Sequence, residues 1–184
     1  ALYVDSRRGP YASLGLDVWD AERDARQYPG PGPVIAHPPC GPWGKFAWRC
    51  HKQDKTLGPA AVEQVRRFGG VLEHPLGSRL WKHCDLPKPF DAVPLTAPRE
   101  WALKVDQCRW GHRALKPTWL LFVDVDPASL PPLPEWREPT HFIGDTPNRE
   151  TSRGKHIPKT QRHLTPVSFA QWLLGAVGDH HARV

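Results

Sequence analysis

The sequence predicts an α/β fold in three layers, built on a mixed sheet that is mostly parallel with one antiparallel pair. Two observations carry that expectation. Apolar, strand-length runs begin at Leu2, Leu16, Val34 and Val71, with a helical segment from Pro59 to Phe68 among them. Farther on, Trp101 to Gln107 and Thr118 to Val125 form two more strand-like runs joined by the connector Cys108 to Pro117, which suits an antiparallel pair.

The chain of 184 residues is long enough for a real core, and a single domain over 1–184 is expected. It has no apolar run near 18 residues and no charged-then-apolar leader, so neither a membrane span nor a signal peptide is expected. Four cysteines (Cys40, Cys50, Cys84, Cys108) without such a leader point to reduced thiols and a cytoplasmic location. A formal charge of +6 suits a polyanionic partner. Twenty-two prolines imply short elements joined by stiff loops, and nine tryptophans imply amphipathic surfaces or stacking platforms.

Taken in order, Leu2-Tyr3-Val4-Asp5 reads as a first strand ending in a carboxylate, and Ser6 to Gly15 as a loop or short helix. Leu16 to Trp19 reads as a second strand, followed by Asp20, Glu22 and Asp24. Strand, loop, strand and acid is the layout of a nucleotide- or adenosyl-binding half-sheet, which makes Asp5, Asp20 and Glu22 candidate cofactor residues. The G-x-G-x-x-G spacing is absent, and a solvated acidic turn is the competing reading.

Val34 to Ala36 is a buried strand stopped by Pro38 and Pro39, which cannot donate to a sheet ladder. Cys40 is thereby placed on a stiff loop at the carboxyl end of a strand, the edge where open α/β sheets bind ligands, and Gly41 permits close approach. A structural cysteine in a proline-rich turn is the alternative. Gly44 to His51 interleaves Trp48 with Lys45 and Arg49, as phosphate contacts and base stacking require.

Pro59 to Phe68 is a helix with Pro near its start and Gly69-Gly70 as its stop. Val71 to Pro75 repeats the earlier pattern, a short strand ending in a reactive residue and a proline, so a parallel neighbour would bring Glu73 to the edge that holds Cys40. Arg79 to Pro98 reads as loop with one short helix, and Pro127 to Pro139 as a polar, proline-rich excursion. Residues 149–163 carry Arg149, Arg153, Lys155, Lys159 and Arg162, and read as an exposed basic loop ordered on a phosphate backbone. Thr165-Pro166 opens a last helix with the apolar stripe Phe169, Trp172, Leu173 and Val177.

In this order the pieces resemble the DNA cytosine-5 methyltransferase family. Pro38-Pro39-Cys40 is similar to its nucleophile loop and Glu73-His74-Pro75 to its Glu-Asn-Val strand end. Trp110 to Val123 resembles its aromatic-Gly segment running through basic residues into an apolar strand, and Arg162-His163-Leu164-Thr165-Pro166 its late Arg-x-Leu-Thr-Pro. Separations of 33 residues from Cys40 to Glu73 and 43 from Glu73 to Lys116 are comparable. The departures are equally plain. The Gly-rich cofactor loop is missing, Gly41 and His74 replace a Gln and an Asn, and Ala114, Lys116 and Thr118 stand where the family has Gln-x-Arg-x-Arg. No large target-recognition domain fits between Val125 and Arg162.

The resemblance implies a Rossmann-like, methyltransferase-type sheet and a pyrimidine-modifying enzyme acting on DNA, or on another pyrimidine nucleic acid or nucleotide. Cys40 would add to C6 of a flipped-out base, Glu73 would supply a proton at N3, and Lys116 would orient the base or Glu73. Arg113 would join the basic residues on the nucleic acid. S-adenosylmethionine is the cofactor implied, against which stands the missing loop. Deamination, exchange or base removal on the same scaffold is the second reading, and a catalytically inactive nucleic-acid-binding protein the third. Cys50-His51, His83-Cys84 and Cys108-x-x-x-His112 offer soft ligands for zinc, but no C-x-x-C pair exists and no metal site is assigned.

Overall fold

The computed structural model describes residues 1–7, 9–44, 47–50, 52–143 and 155–178. Its main sheet has the order β1 (Val34–Ala36), β2 (Gly70–Pro75), β5 (Pro117–Val123), β3 (Glu100–Asp106). β1 and β2 run parallel, while β5 is antiparallel to both β2 and β3. A small parallel sheet is made of β4 (Ala114–Leu115), β6 (His141–Phe142) and β7 (Lys155–His156). The fold is therefore α/β with open, mixed sheets, and the antiparallel pair falls where the sequence places it.

The helices are α1 (Leu57–Phe68), α2 (Leu80–His83), α3 (Lys159–Arg162) and α4 (Val167–Gly178). Alternation along β2 decides which face each long helix covers. Leu72 belongs to a core with Ala61, Val62 and Val65 of α1, whereas Val71 belongs to a core with Phe169, Trp172, Leu173 and Val177 of α4. The two helices thus pack on opposite faces. Tryptophans fill much of the α4 side: Trp101 stacks on Phe122 at 4.5 Å, and Trp110 meets both Phe169 and Trp172.

α1 ends as expected, at Gly69, whose φ of 75° suits glycine and whose amide reaches the Val65 carbonyl. Gly70 instead starts β2, with φ of 111° and its Cα against β1; a Cβ there would lie 2.6 Å from the Val34 nitrogen.

Two expectations change. The strands foreseen from Leu2 and Leu16 shrink to single bridges, Leu2 with Ala36 and Leu2 with Trp19. Tyr3 takes a left-handed φ of 58°, so the chain turns away after one paired residue. The basic loop is also partly built: Lys155 and His156 form β7, Ile157 is buried and Lys159 opens α3. Among the described residues no helix is long and apolar enough to cross a membrane.

Candidate active site

The carboxyl ends of β1, β2 and β3 lie on one edge, beside the amino end of antiparallel β5. Past Ala36, the His37 amide still donates to the Leu2 carbonyl at 3.0 Å, and then the prolines end the pairing. The Cys40 carbonyl accepts from the amides of Trp43 and Gly44, closing a tight turn. Trp43 anchors that turn in the α1-side core, and Gly58 of α1 makes room, since a Cβ there would lie 2.6 Å from Trp43 Nε1.

The β1–β2 register pairs Ile35 with Val71 and Ala36 with Leu72, so its continuation sets His37 opposite Glu73. Their side chains meet, with His37 Nδ1 3.1 Å from Glu73 Oε2, and each side chain is only 12% exposed. On the far side of the imidazole, the hydroxyl of buried Tyr11 lies 2.5 Å from Nε2. Glu73 Oε1 accepts from Gln107 Nε2 at 2.9 Å, and that amide also donates to Thr118 Oγ1 at 3.0 Å. Lys116, between β4 and β5, donates from Nζ to the Leu164 carbonyl at 3.2 Å and so ties the Arg-x-Leu-Thr-Pro segment to this edge.

The charges of Cys40, Glu73 and Lys116 act on one another. Burial raises the Cys40 thiol above its ordinary value, the Glu73 carboxylate raises it further, and the Lys116 ammonium opposes both. Burial lowers the Lys116 ammonium, against the pull of Glu73 and Cys40. For Glu73 burial pushes upward, yet the hydrogen bond from His37 and the charges of His37, Lys116 and His74 outweigh it and hold the carboxyl at about 2. At rest Glu73 is therefore a carboxylate, which must gain a proton before it can supply one at N3.

Cys40 lines a cleft of about 460 Å³ with His74, Gly77, Ser78 and Arg79. The cleft takes His74 of β2 rather than Glu73, because the two point to opposite faces of the strand. Cys40 and Glu73 thus reach the same sheet edge, as the parallel pairing of β1 and β2 foretells, but Glu73 does not line this cleft and acts on the thiol by charge from the α4 side. A second cleft, of about 510 Å³, is lined by Asp5, Asp20, Glu22, Asp24 and Pro39. The three candidate cofactor residues therefore do converge, next to the nucleophile loop. They also shape their own turns: Asp20 accepts from Ser6 Oγ and from the amides of Glu22 and Arg23, and Glu22 pairs with Arg7 at 2.6 Å.

The basic candidates are more dispersed. Lys45, Arg149 and Arg153 lie outside the described residues. Arg113 contacts His141 Nε2, Arg162 Nε donates to the Ile157 carbonyl, and Lys155 is exposed in β7. Arg49 sits 4.6 Å over the ring of Trp48, which is 69% exposed. Among the described residues no three His, Cys, Asp or Glu side chains converge as a metal-binding group.

Sequence reading missed His37, Tyr11, Gln107 and Thr118. His37 had a signal, since it lies two residues after Ile35 and shares its face of the strand. Tyr11 and Gln107 had none, because only the folded chain carries them to Glu73. Comparison with protein-family models, curated proteins and solved structures returned no match.

Proposed function

We propose that the chain is a pyrimidine-modifying enzyme of the cytosine-5 methyltransferase type, acting on DNA through a covalent adduct between Cys40 and base C6. One observation carries the reading: a cysteine, a carboxylate and an ammonium group from three separate segments act on one another's charge at the carboxyl edge of the sheet. A pyrimidine C5 gains nucleophilic character only after something adds to C6, and sulfur adds and leaves readily. The resting site holds Cys40 as a thiol. A proton taken up by Glu73 as substrate engages removes the charge opposing thiolate formation, and Glu73 passes that proton to N3 as the S–C6 bond forms, so substrate engagement and nucleophile activation go together.

The neighbouring acidic cleft fits a cationic group donor. S-adenosylmethionine carries a sulfonium and an ammonium, and Asp5, Asp20, Glu22 and Asp24 would face them and the ribose diol. Pro39 lines that cleft and Cys40 the other, so the nucleophile loop stands between donor and acceptor sides. The finer architecture proposed with this is a three-layer, Rossmann-like sandwich, supported by helices on both faces of the sheet. Nucleic acid would approach over exposed Trp48 and the basic segments, with duplex bases flipped to reach Cys40.

The test is an oligodeoxynucleotide containing 5-fluorocytosine, incubated with the protein with and without S-adenosylmethionine. A denaturation-resistant adduct lost in Cys40→Ser is the expected result. An adduct formed only with S-adenosylmethionine assigns the donor. No adduct under either condition, with oligonucleotide binding intact, would leave a binding protein as the better reading.

A further inference from the structure

We propose that His37, held between Tyr11 and Glu73, is the positioning residue that stores and returns the proton used at the ring, so that Tyr11-His37-Glu73 is a proton relay. The proposal rests on the covalent reading above and names how its acid works. Tyr11 comes from the amino-terminal loop, His37 from the end of β1 and Glu73 from β2. The three make two consecutive contacts, 2.5 Å and 3.1 Å long. Tyr11 is 2% exposed and the other two side chains 12%, so solvent has little access to the line.

The hydrogen-bonding inventory fixes the direction of transfer. Gln107 Nε2 can only donate, so Glu73 Oε1 is an acceptor in either charge state, and a proton on the carboxyl enters and leaves at Oε2, facing His37 Nδ1. The Tyr11 hydroxyl both donates and accepts. It can therefore donate to Nε2 of a neutral His37 or accept from Nε2–H of a charged one, and the ring changes state without leaving a buried nitrogen unpaired. Tyr11 stays unionised, because burial and then the Glu73 charge raise its hydroxyl well above the ordinary value. The other titratable groups facing the relay are Lys116 and Cys40, which interact with Glu73, and His74, which interacts with His37 and Glu73.

The atoms balance as follows. Cys40 attacks as its thiolate, its proton having gone to solvent, and the S–C6 bond forms. In a cytosine ring the C5–C6 π pair moves to C4–C5 and the C4–N3 pair moves onto N3. Nδ1 of the charged His37 gives its proton to Glu73 Oε2, and N3 takes that proton from Glu73, which leaves His37 neutral and Glu73 again a carboxylate. Elimination of Cys40 returns the same proton along the same line.

Two measurements test this. In the first, the rate of adduct formation with the 5-fluorocytosine oligonucleotide is followed from pH 5 to 9 for wild type, His37→Gln and Tyr11→Phe. Wild type should show a falling alkaline limb. His37→Gln should lose that limb and at least tenfold in plateau rate, and Tyr11→Phe should change the limb and lower the plateau rate, because the ring can no longer change state with both nitrogens paired. If His37→Gln does not fold, Tyr11→Phe alone decides. An unchanged limb in the folded variants overturns the relay while leaving the covalent reading intact. The second measurement needs no reaction: proton NMR should show a slowly exchanging His37 Nδ1 proton that disappears in Glu73→Gln. If wild type forms no adduct, the covalent reading fails and the NMR arm still decides the relay. Its absence from wild type overturns the relay.

Discussion

Replacing Glu73 by Gln removes the one carboxyl whose charge the whole edge is arranged to hold, and its effect should be readable as acid stability. In the folded chain that carboxyl sits at about 2 against an ordinary 4.5. A depressed acid contributes stability that is fully present above the unfolded value and is lost as pH falls through the folded one. At 1.36 kcal/mol per unit, the full contribution is about 3 kcal/mol. Most of it is gone by pH 3, where the unfolded carboxyl is protonated and the folded one is not, a loss of about 2 kcal/mol relative to pH 6. The amide of the variant has nothing to titrate, so the stability difference between wild type and Glu73→Gln should shrink by about 2 kcal/mol between those two pH values. Urea unfolding of both proteins at pH 6 and pH 3 measures it. Parallel acid limbs for the two proteins would refute the claim that His37, Lys116 and Gln107 hold a buried carboxylate there.

Three further outcomes follow from the same structure. Alkylation of Cys40 by iodoacetamide should need higher pH than a free thiol, Glu73→Gln should move its midpoint down and Lys116→Met should move it up; unchanged midpoints would mean the three charges do not interact. His74 is fully buried and neutral, its imidazole lowered by burial from 6.5 to about 4. Stability from it is complete above pH 6.5 and lost on acidification towards 4, about 2 kcal/mol by pH 5, so His74→Leu should flatten that limb in denaturant titrations. Gly70→Ala forces an alanine to a φ of 111° and drives its Cβ into the Val34 backbone. It should cost about 3 kcal/mol or more and separate His37 from Glu73, and a melting temperature within a degree or two of wild type would contradict the β1–β2 approach described here.

Local chemistry determined a good part of this protein. Pro38-Pro39 ends β1, Gly69-Gly70 separates α1 from β2, and the apolar runs around Trp101 and Thr118 become the antiparallel β3–β5 pair. Each is legible because a strand of one period, a helix of another and their Pro or Gly stops are written in adjacent residues. The convergence of Cys40 and Glu73 on one edge was foreshadowed by the same punctuation, used twice. What the sequence by itself could not fix was anything that depends on register or on distant neighbours. Tyr3 turning left-handed reduced two foreseen strands to bridges. The parity of β2 sent His74 into the Cys40 cleft and Glu73 to the other face. Tyr11 reaches His37 across 26 residues and Gln107 reaches Glu73 across 34. The charge state of Glu73 is likewise a tertiary property, because burial alone would have protonated it. Only the folded arrangement of His37, Lys116 and Gln107 around that carboxyl makes the ionised form the stable one.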